Sequence, residues 1–291
     1  MLRQRLLSGF FIWFLLLALL YYAPLAALWL VLAAISCIGQ VEFYAMMNKA
    51  GIPVFRVIGL ACGAALLSVT FVSIGPTTQD LACSYKWEQM VMLVAVIATF
   101  VRQFPQKYNE KPLETIACTL FGILYVPYLF NFITGLALAW EKPVMSEPIG
   151  ETGRLLLIYL VVVVKSTDVG AYFIGRFFGR HNLFPRISPS KTWEGLIGGI
   201  IFAILASAIF TVIVHGKMGS ISISTMDVVV LGILLSIVGA VGDMFESLVK
   251  RASGMKDSSN LVPGMGGMLD VIDSLLFGAP VLYVYARVFM S

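Results

Sequence analysis

The chain has 291 residues, of which 59% are hydrophobic and 12% are charged, and its formal net charge is +4 at pH 7. A mean hydropathy of +0.91 over this length excludes an ordinary soluble domain and is typical of a protein that crosses a membrane several times. The few positive charges are spread over many loops, so no basic tract favours nucleic-acid binding. The four cysteines have neither metal-ligand spacing nor the pattern of a disulfide framework.

Nine apolar segments follow one another along the chain, and the first and fourth are shorter than the rest. They cover residues 7–20, 24–46, 54–75, 89–102, 115–139, 153–175, 195–215, 226–243 and 271–289. A helix needs about 20 residues to cross the hydrocarbon core of a bilayer, and most of these segments come close to that length. The sequence therefore predicts an all-α, polytopic integral membrane protein with about nine transmembrane helices.

Lysines and arginines are concentrated in alternate loops between the apolar segments. They are Arg3, Arg5, Lys49, Arg56, Arg102, Lys107, Lys111, Arg176, Arg180, Arg186, Lys191, Lys250, Arg251 and Lys256. The loops between them, 76–88, 140–152 and 216–225, carry few cations. Because cytoplasmic loops are enriched in lysine and arginine, nine spans with the N-terminus inside place every basic loop in the cytoplasm. The two most polar loops, 165–194 and 243–273, are then predicted to share the cytoplasmic side.

The first polar motif lies near the end of the sixth apolar segment. Lys165, Asp168 and Tyr172 are spaced i, i+3 and i+7, which places them on one face if the helix continues. Asp168 is therefore a candidate functional acid. An ordinary buried Lys–Asp pair would produce the same spacing, so the motif alone does not decide between these interpretations.

The second polar motif is the stretch 188–195. Ser188 is predicted to be a helix N-cap and Pro189 the first helical residue, with Lys191 in the first turn. Free N–H groups and the positive end of the helix dipole favour phosphate binding at such a terminus. An ordinary helix cap at the membrane surface would contain the same residue types.

The third polar motif, residues 243–273, is the most informative one. It places acids, bases, hydroxyls and glycines between two apolar segments, where ionisable groups are costly. Asp243, Ser247 and Lys250 are spaced i, i+4 and i+7 and share one helical face. The segment 263–267 contains three glycines, which let backbone N–H groups approach a ligand closely.

The carboxylates of this third motif need compensating charge. Asp243, Asp270 and Asp273 would cost roughly 8–10 kcal/mol together if unpaired at the bilayer centre, at about 2.5–3.5 kcal/mol each. Lys250 and Arg251 would offset part of this cost, and a hard cation such as Mg²⁺ would offset more, because it takes oxygen ligands and bridges phosphates. A salt-bridge network at the membrane interface is the alternative interpretation.

These motifs resemble those of the phosphatidate cytidylyltransferase (CDP-diacylglycerol synthase) family. The family signature runs Ser-x-x-Lys-Arg, then Lys-Asp, then Pro-Gly-His-Gly-Gly, then Asp-Arg-x-Asp. The matching residues here are Ser247, Lys250, Arg251, Lys256, Asp257, Pro263 to Gly267, Asp270 and Asp273, with Asp168 to Tyr172, Gly175, Arg176 and Ser188 to Gly195 upstream. The detailed match covers about 165–280, and it has two departures. Met265 stands where the family usually has histidine, and Val271 where it usually has arginine.

The resemblance implies transfer of CMP from CTP to phosphatidic acid with release of pyrophosphate. It implies a catalytic set of Asp168, Asp243, Ser247, Lys250 and Asp270. It implies phosphate binding by Ser188, Lys191, Arg251, Lys256, Gly266 and Gly267. The resemblance further implies Mg²⁺ at Asp243, Asp270 and Asp273, a second cation for which K⁺ is the candidate, and homodimers formed through membrane helices. We expect the chain to divide into N-terminal transmembrane helices (1–112), middle transmembrane helices (113–164) and a C-terminal catalytic region with cytoplasmic loops (165–291).

Three alternatives to this function stay open on the sequence alone. One is a CTP-dependent transferase that acts on another lipid phosphate or on a lipid alcohol. The second is an inactive paralogue that scaffolds lipid enzymes, for which Met265 and Val271 are the only support. The third is an ion or proton transporter with Asp168, Asp243 and Asp270 as its relay, although transporters place such charges near the bilayer midplane.

Overall fold

The computed structural model describes residues 15, 17–74, 81–141, 144–145, 147–185, 188–262, 264 and 266–290. Long helices dominate these residues, and strands occur only as two short hairpins. The helices are α1 (Leu25–Lys49), α2 (Arg56–Ile74), α3 (Leu81–Gln103), α4 (Pro112–Ile123), a π-helical turn (Leu124–Tyr128), α5 (Leu129–Leu138), α6 (Glu151–Phe178), α7 (Trp193–Ile213), α8 (Thr225–Ala252) and α9 (Met268–Phe289). The strands are β1 (Asn182–Phe184), β2 (Ser188–Thr192), β3 (Lys217–Met218) and β4 (Ile221–Ser222), and each hairpin is antiparallel.

Seven helical rods within the described residues are long and apolar enough to cross a membrane. They are α1, α2, the continuous rod Pro112–Leu138, α6, α7, α8 and α9. This finding confirms the prediction of an all-α, polytopic membrane protein. Of the two other predicted segments, 7–20 lies largely outside the described residues. Segment 89–102 lies within α3, which also carries Lys86 and Glu88 and is not among the seven.

The chain forms two compact units. Unit 1 comprises Met1–Gly150 and Val249–Val271, and unit 2 comprises Glu151–Leu248 and Ile272–Ser291. The division between them falls within α8 and α9, so each of these helices contributes residues to both units. The division predicted from the sequence, into segments 1–112, 113–164 and 165–291, stays a prediction.

A buried polar network fixes α1 within unit 1. The Tyr44 side chain is fully buried, and its hydroxyl donates to the Thr119 carbonyl at 2.9 Å. Gln40 donates from Nε2 to the Tyr44 hydroxyl at 3.1 Å and to the Gly59 carbonyl at 2.9 Å. Because buried polar groups are costly unless they are paired, these bonds hold α1 in one register against α2 and α4. The position of the neighbouring Glu42 follows from this register.

Small residues bring α6 and α7 together in unit 2. A Cβ atom added at Gly170 would lie 2.6 Å from Phe202 Cβ, and one added at Gly199 would lie 3.0 Å from the Thr167 side chain. Larger residues would therefore force the two helices apart. Packing through small residues of this kind is typical of helices in membranes.

The start of α7 differs from the sequence-based prediction. Residues 188–192 form β2, which pairs with β1, so the helix cannot begin before this strand ends. The N-cap is Thr192, which has extended backbone angles and accepts from the Gly195 N–H through Oγ1 at 3.1 Å. The prediction of Ser188 as the N-cap and Pro189 as the first helical residue was therefore wrong. Thr192 has the preferred N-cap chemistry and lies immediately before the apolar run, which is the signal that the prediction overlooked.

Candidate functional site

Unit 2 contains a cavity of about 490 Å³ that holds charges of both signs. Its lining combines side chains of α6, β2, α7 and α8 with the β1 residue Leu183. The polar residues that line it include Asp168, Tyr172, Arg176, Ser190, Lys191 and Asp243. The structure thus brings together three of the residues predicted from separate motifs, Asp168, Lys191 and Asp243.

Each acid in this cavity lies beside a lysine. Lys191 Nζ lies 2.6 Å from Asp243 Oδ2, and Lys165 Nζ lies 3.5 Å from Asp168 Oδ2. The first pair joins β2 to α8, and the second lies within one turn of α6. An ammonium group has three donors, so a lysine held by one carboxylate can also bind a phosphate oxygen. A cavity with these groups can accept an anionic ligand and neutralise its charge.

Three carboxylates of unit 2 form a cluster that includes the cavity residue Asp243. One carboxylate oxygen from each of Asp243, Glu246 and Asp273 lies within 4.8 Å of the others. Glu246 is 1% exposed and Asp273 is 5% exposed. Close oxygen donors of this kind, two of them on buried side chains, fit a hard divalent cation, because the cation offsets the mutual repulsion of the carboxylates. Asp243 belongs both to this cluster and to the cavity, so it connects the two features.

Glu246 was not predicted as a site residue. It lies three residues after Asp243 on α8, a spacing that places both on one helical face. A search for all acids at this spacing in the third motif would have found it. Asp243 and Asp273, in contrast, were both predicted as metal ligands, and the structure places them in one cluster.

Asp270 lies in unit 1, where it is held by several donors. Lys250 Nζ lies 2.6 Å from Asp270 Oδ1, and the two side chains are only 13% and 8% exposed. The other oxygen, Oδ2, accepts from the Ser258 hydroxyl at 2.7 Å, the Ser258 N–H at 3.0 Å and the Gly267 N–H at 2.6 Å. The carboxylate is thus fixed by one charge-assisted ion pair and three hydrogen bonds.

A second acid, Glu42, meets the same loop. Its Oε1 accepts from the Met268 N–H at 3.0 Å and the Ser259 hydroxyl at 2.5 Å. Its Oε2 accepts from the Leu269 N–H at 2.8 Å and the Ser258 hydroxyl at 3.1 Å. Sequence reasoning missed Glu42, although a lone acid in an apolar segment is a signal that could have identified it.

The glycines of the third motif serve two geometric purposes. Gly264 and Gly266 have φ values of +80° and +104°, a left-handed region that favours glycine. Gly266 also exchanges two backbone hydrogen bonds with Val262. A Cβ atom added at Gly267 would lie 2.5 Å from Glu42 Oε2, so only glycine fits there. Met265 lies outside the described residues, and phosphate binding by Gly266 and Gly267 stays a prediction.

The remaining predicted residues occupy less enclosed positions. Ser188 and Ser247 are half-buried, whereas Arg251 and Lys256 are exposed. Val271, the second departure from the family signature, is 5% exposed. A buried position suits an aliphatic side chain, so valine is physically compatible with this place on α9.

Comparison with known proteins identifies relatives. A phosphatidate cytidylyltransferase of Brucella suis biovar 1 (strain 1330) is 44% identical over 144 residues, 50% of this chain and 50% of that protein. A phosphatidate cytidylyltransferase of Bacillus subtilis (strain 168) is 41% identical over 137 residues, 47% of this chain and 49% of that protein. The uncharacterized protein YnbB of Escherichia coli (strain K12) is 40% identical over 175 residues, 60% of this chain and 55% of that protein.

These alignments span about half the length of the relatives, so the relatives' names alone do not carry their activity over to this chain. The family match is more extensive. Residues 3–289 match the Cytidylyltransferase family. This range contains both polar loops and all seven candidate membrane-spanning rods described above. The chain therefore belongs to the cytidylyltransferase family.

Proposed function

We propose that this protein transfers CMP from CTP to phosphatidic acid and produces CDP-diacylglycerol and pyrophosphate. One observation carries the proposal: Asp243 joins a cavity that contains Lys191 and Arg176 to a carboxylate cluster that fits a hard cation. A site for a nucleoside triphosphate needs both cationic side chains and a divalent cation to neutralise the phosphate charges. The relatives named phosphatidate cytidylyltransferase support phosphatidic acid as the acceptor.

In this reaction a phosphate oxygen of the lipid attacks the α-phosphorus of CTP. The new bond joins that oxygen to the α-phosphorus, and the bond to the β-phosphate oxygen breaks and releases pyrophosphate. Both reactants are anions, so catalysis consists of positioning and charge neutralisation. The attacking phosphate monoester is largely a dianion near neutral pH, so no strong base is required. This chemistry is compatible with Met265 at the position where the family usually has histidine.

The side chains of unit 2 divide these tasks in the proposal. Lys191 and Arg176 neutralise phosphate oxygens in the cavity. Asp243, Glu246 and Asp273 would hold Mg²⁺, since their carboxylate oxygens are the hard donors that this ion prefers. When bound, Mg²⁺ supplies charge stabilisation for phosphate oxygens. A ligand role for Asp270 and the binding of K⁺ stay predictions from the family resemblance.

The proposal also places the N-terminus and both polar loops in the cytoplasm, where CTP is available. Exposed Lys256 provides a test of this orientation. A cysteine at this position in a variant that lacks the four native cysteines should react with an impermeant thiol reagent only when the reagent reaches the cytoplasmic face. Labelling from the opposite face would contradict the orientation. Homodimer formation stays a prediction.

The proposed activity is tested with purified protein in detergent, radiolabelled CTP and a panel of lipid acceptors. We expect Mg²⁺-dependent labelling of phosphatidic acid and little labelling of isoprenoid phosphates or lipid alcohols. Preferential labelling of another acceptor would keep the nucleotidyl transfer and change the lipid substrate. CTP binding without any labelled lipid, in protein that is folded, would contradict the proposed activity and favour the inactive paralogue.

The departure at Met265 yields a separate prediction. We expect Met265→His to change the rate of CMP transfer by less than about threefold, because the reaction requires no strong base. Asp270→Asn should reduce the rate by at least about tenfold, because it removes the negative charge that pairs with Lys250 and replaces one of the two acceptor oxygens with an NH₂ donor. Steady-state rates of both variants decide the comparison. Full activity of Asp270→Asn would contradict its predicted catalytic role.

A further inference from the structure

Glu42 is the single acid of α1, and it is 5% exposed. Its neighbours in sequence, Phe43 and Tyr44, are among the most deeply buried side chains of unit 1. A buried carboxylate is costly unless hydrogen bonds compensate it. Here two hydroxyls and two backbone N–H groups provide that compensation.

The two N–H groups belong to Met268 and Leu269, the first residues of α9. The first N–H groups of a helix have no acceptor within the helix and need one from elsewhere. Glu42 supplies both acceptors, and its negative charge lies at the positive end of the helix dipole. A residue near the end of α1 therefore sets where α9 begins.

Ser258 connects Glu42 to Asp270. Its hydroxyl lies 2.7 Å from Asp270 Oδ2 and 3.1 Å from Glu42 Oε2, and its N–H also donates to Asp270 at 3.0 Å. A hydroxyl carries one proton and donates to one acceptor at a time, so its position depends on both carboxylates. Glu42 also excludes any side chain from Gly267, whose N–H donates to Asp270 at 2.6 Å.

We propose that Glu42 is a positioning residue that fixes Asp270 and the first turn of α9, acting through Ser258 and the Met268 and Leu269 amides. It does not need to touch substrate to do so. Its effect on CMP transfer rests on the proposed function, because the catalytic role predicted for Asp270 belongs to that reaction. The positioning itself rests only on the contacts of Glu42 in unit 1.

The test is Glu42→Gln, which keeps the shape of the side chain but places an amide NH₂ among hydrogen-bond donors. We expect the Met268 and Leu269 amides to exchange with deuterium about tenfold faster, because a charge-assisted acceptor is lost. We expect kcat to fall about ten- to a hundredfold while KM for CTP changes by less than about threefold. A merely structural defect would lower the fraction of folded protein and so lower the apparent kcat at unchanged KM, and kcat is therefore calculated per enzyme molecule that binds CTP. The loss of kcat should persist after this normalisation.

Glu88→Gln is the matched control. Glu88 is an acid on α3 that accepts from Thr70 at 2.6 Å and from Ser84 at 3.0 Å, so the variant loses the same charge elsewhere in unit 1. Exchange at Met268 and Leu269 should stay at the wild-type rate in this control. If Glu42→Gln does not purify, Ser259→Ala removes one of the four donors and should produce a smaller change in the same direction.

A double-variant cycle tests the role of Ser258. Because Ser258→Ala removes the hydroxyl between the two carboxylates, Glu42→Gln should lower kcat less in that background than in the wild type. Unchanged amide exchange in Glu42→Gln, or fully additive effects on kcat, would overturn the proposal. If the wild-type protein forms no CDP-diacylglycerol, that result counts against the proposed function, and the exchange rates alone decide the role of Glu42.

Discussion

Asp243→Asn is expected to lower the rate of CMP transfer by about a hundred- to a thousandfold, which corresponds to about 3–4 kcal/mol of lost transition-state stabilisation. Asp243 pairs with Lys191 at 2.6 Å and also belongs to the carboxylate cluster with Glu246 and Asp273. The substitution replaces an anionic oxygen ligand for the cation by a neutral amide, and it removes the carboxylate that pairs with Lys191. We therefore also expect half-maximal activity to require a higher Mg²⁺ concentration.

Asp227→Asn is the control for this prediction. Asp227 lies in the first turn of the same helix, α8, and accepts from Ser224 and from the Tyr285 hydroxyl at 2.8 Å. The variant loses an equal charge outside the cavity and the cluster, so its rate should stay within about threefold of the wild type. Wild-type activity and an unchanged Mg²⁺ requirement in Asp243→Asn would contradict the role assigned to this carboxylate.

Lys250→Met is expected to lower the free energy of unfolding by about 3–5 kcal/mol. The Lys250 and Asp270 side chains are 13% and 8% exposed, and their charged atoms lie 2.6 Å apart. Removal of the Lys250 ammonium takes this ion pair away from the largely buried Asp270 carboxylate. The free-energy cost of desolvating that carboxylate is then no longer offset by the ion pair. Thermal or denaturant unfolding in detergent micelles measures the loss.

Lys256→Met controls for the change from lysine to methionine. Lys256 is exposed, and substitutions at exposed positions change stability by no more than about 0.5 kcal/mol in most cases. An equal loss of stability in the two variants would show that the Lys250–Asp270 pair contributes nothing specific. A loss confined to Lys250→Met would show that the ion pair stabilises the contact between the end of α8 and the start of α9.

Hydropathy predicted the fold class because a helix that crosses the hydrocarbon core needs about 20 predominantly apolar residues. It also located the seven helical rods that the structure describes as membrane-spanning candidates. The start of α7 was mispredicted because Ser188, Ser190 and Thr192 all have cap chemistry. The position of Thr192 next to the apolar run favours it, and the pairing of β2 with β1 excludes a helix start at Ser188. Strand pairing of this kind depends on contacts that local sequence patterns do not encode.

Where one helix supplies the residues, their spacing predicts which side chains of the site share a face. The spacing of Lys165 and Asp168 on α6 predicted that they share one helical face, and the structure places their charged atoms 3.5 Å apart. The approach of Lys191 to Asp243 joins distant segments and has no periodic signal. The partners of Glu42 have no such signal either, since its donors follow it by more than two hundred residues and only the folded chain brings them together.

The most direct test of the central claim uses two preparations of CTP, one radiolabelled in the α-phosphate and one in the γ-phosphate. The purified protein is incubated with each, together with Mg²⁺ and phosphatidic acid in detergent. CMP transfer predicts that the α-label enters the chloroform-soluble lipid and that the γ-label appears only in pyrophosphate. Entry of the γ-label into lipid, or an absence of labelled lipid from protein that binds CTP, would contradict the proposed function.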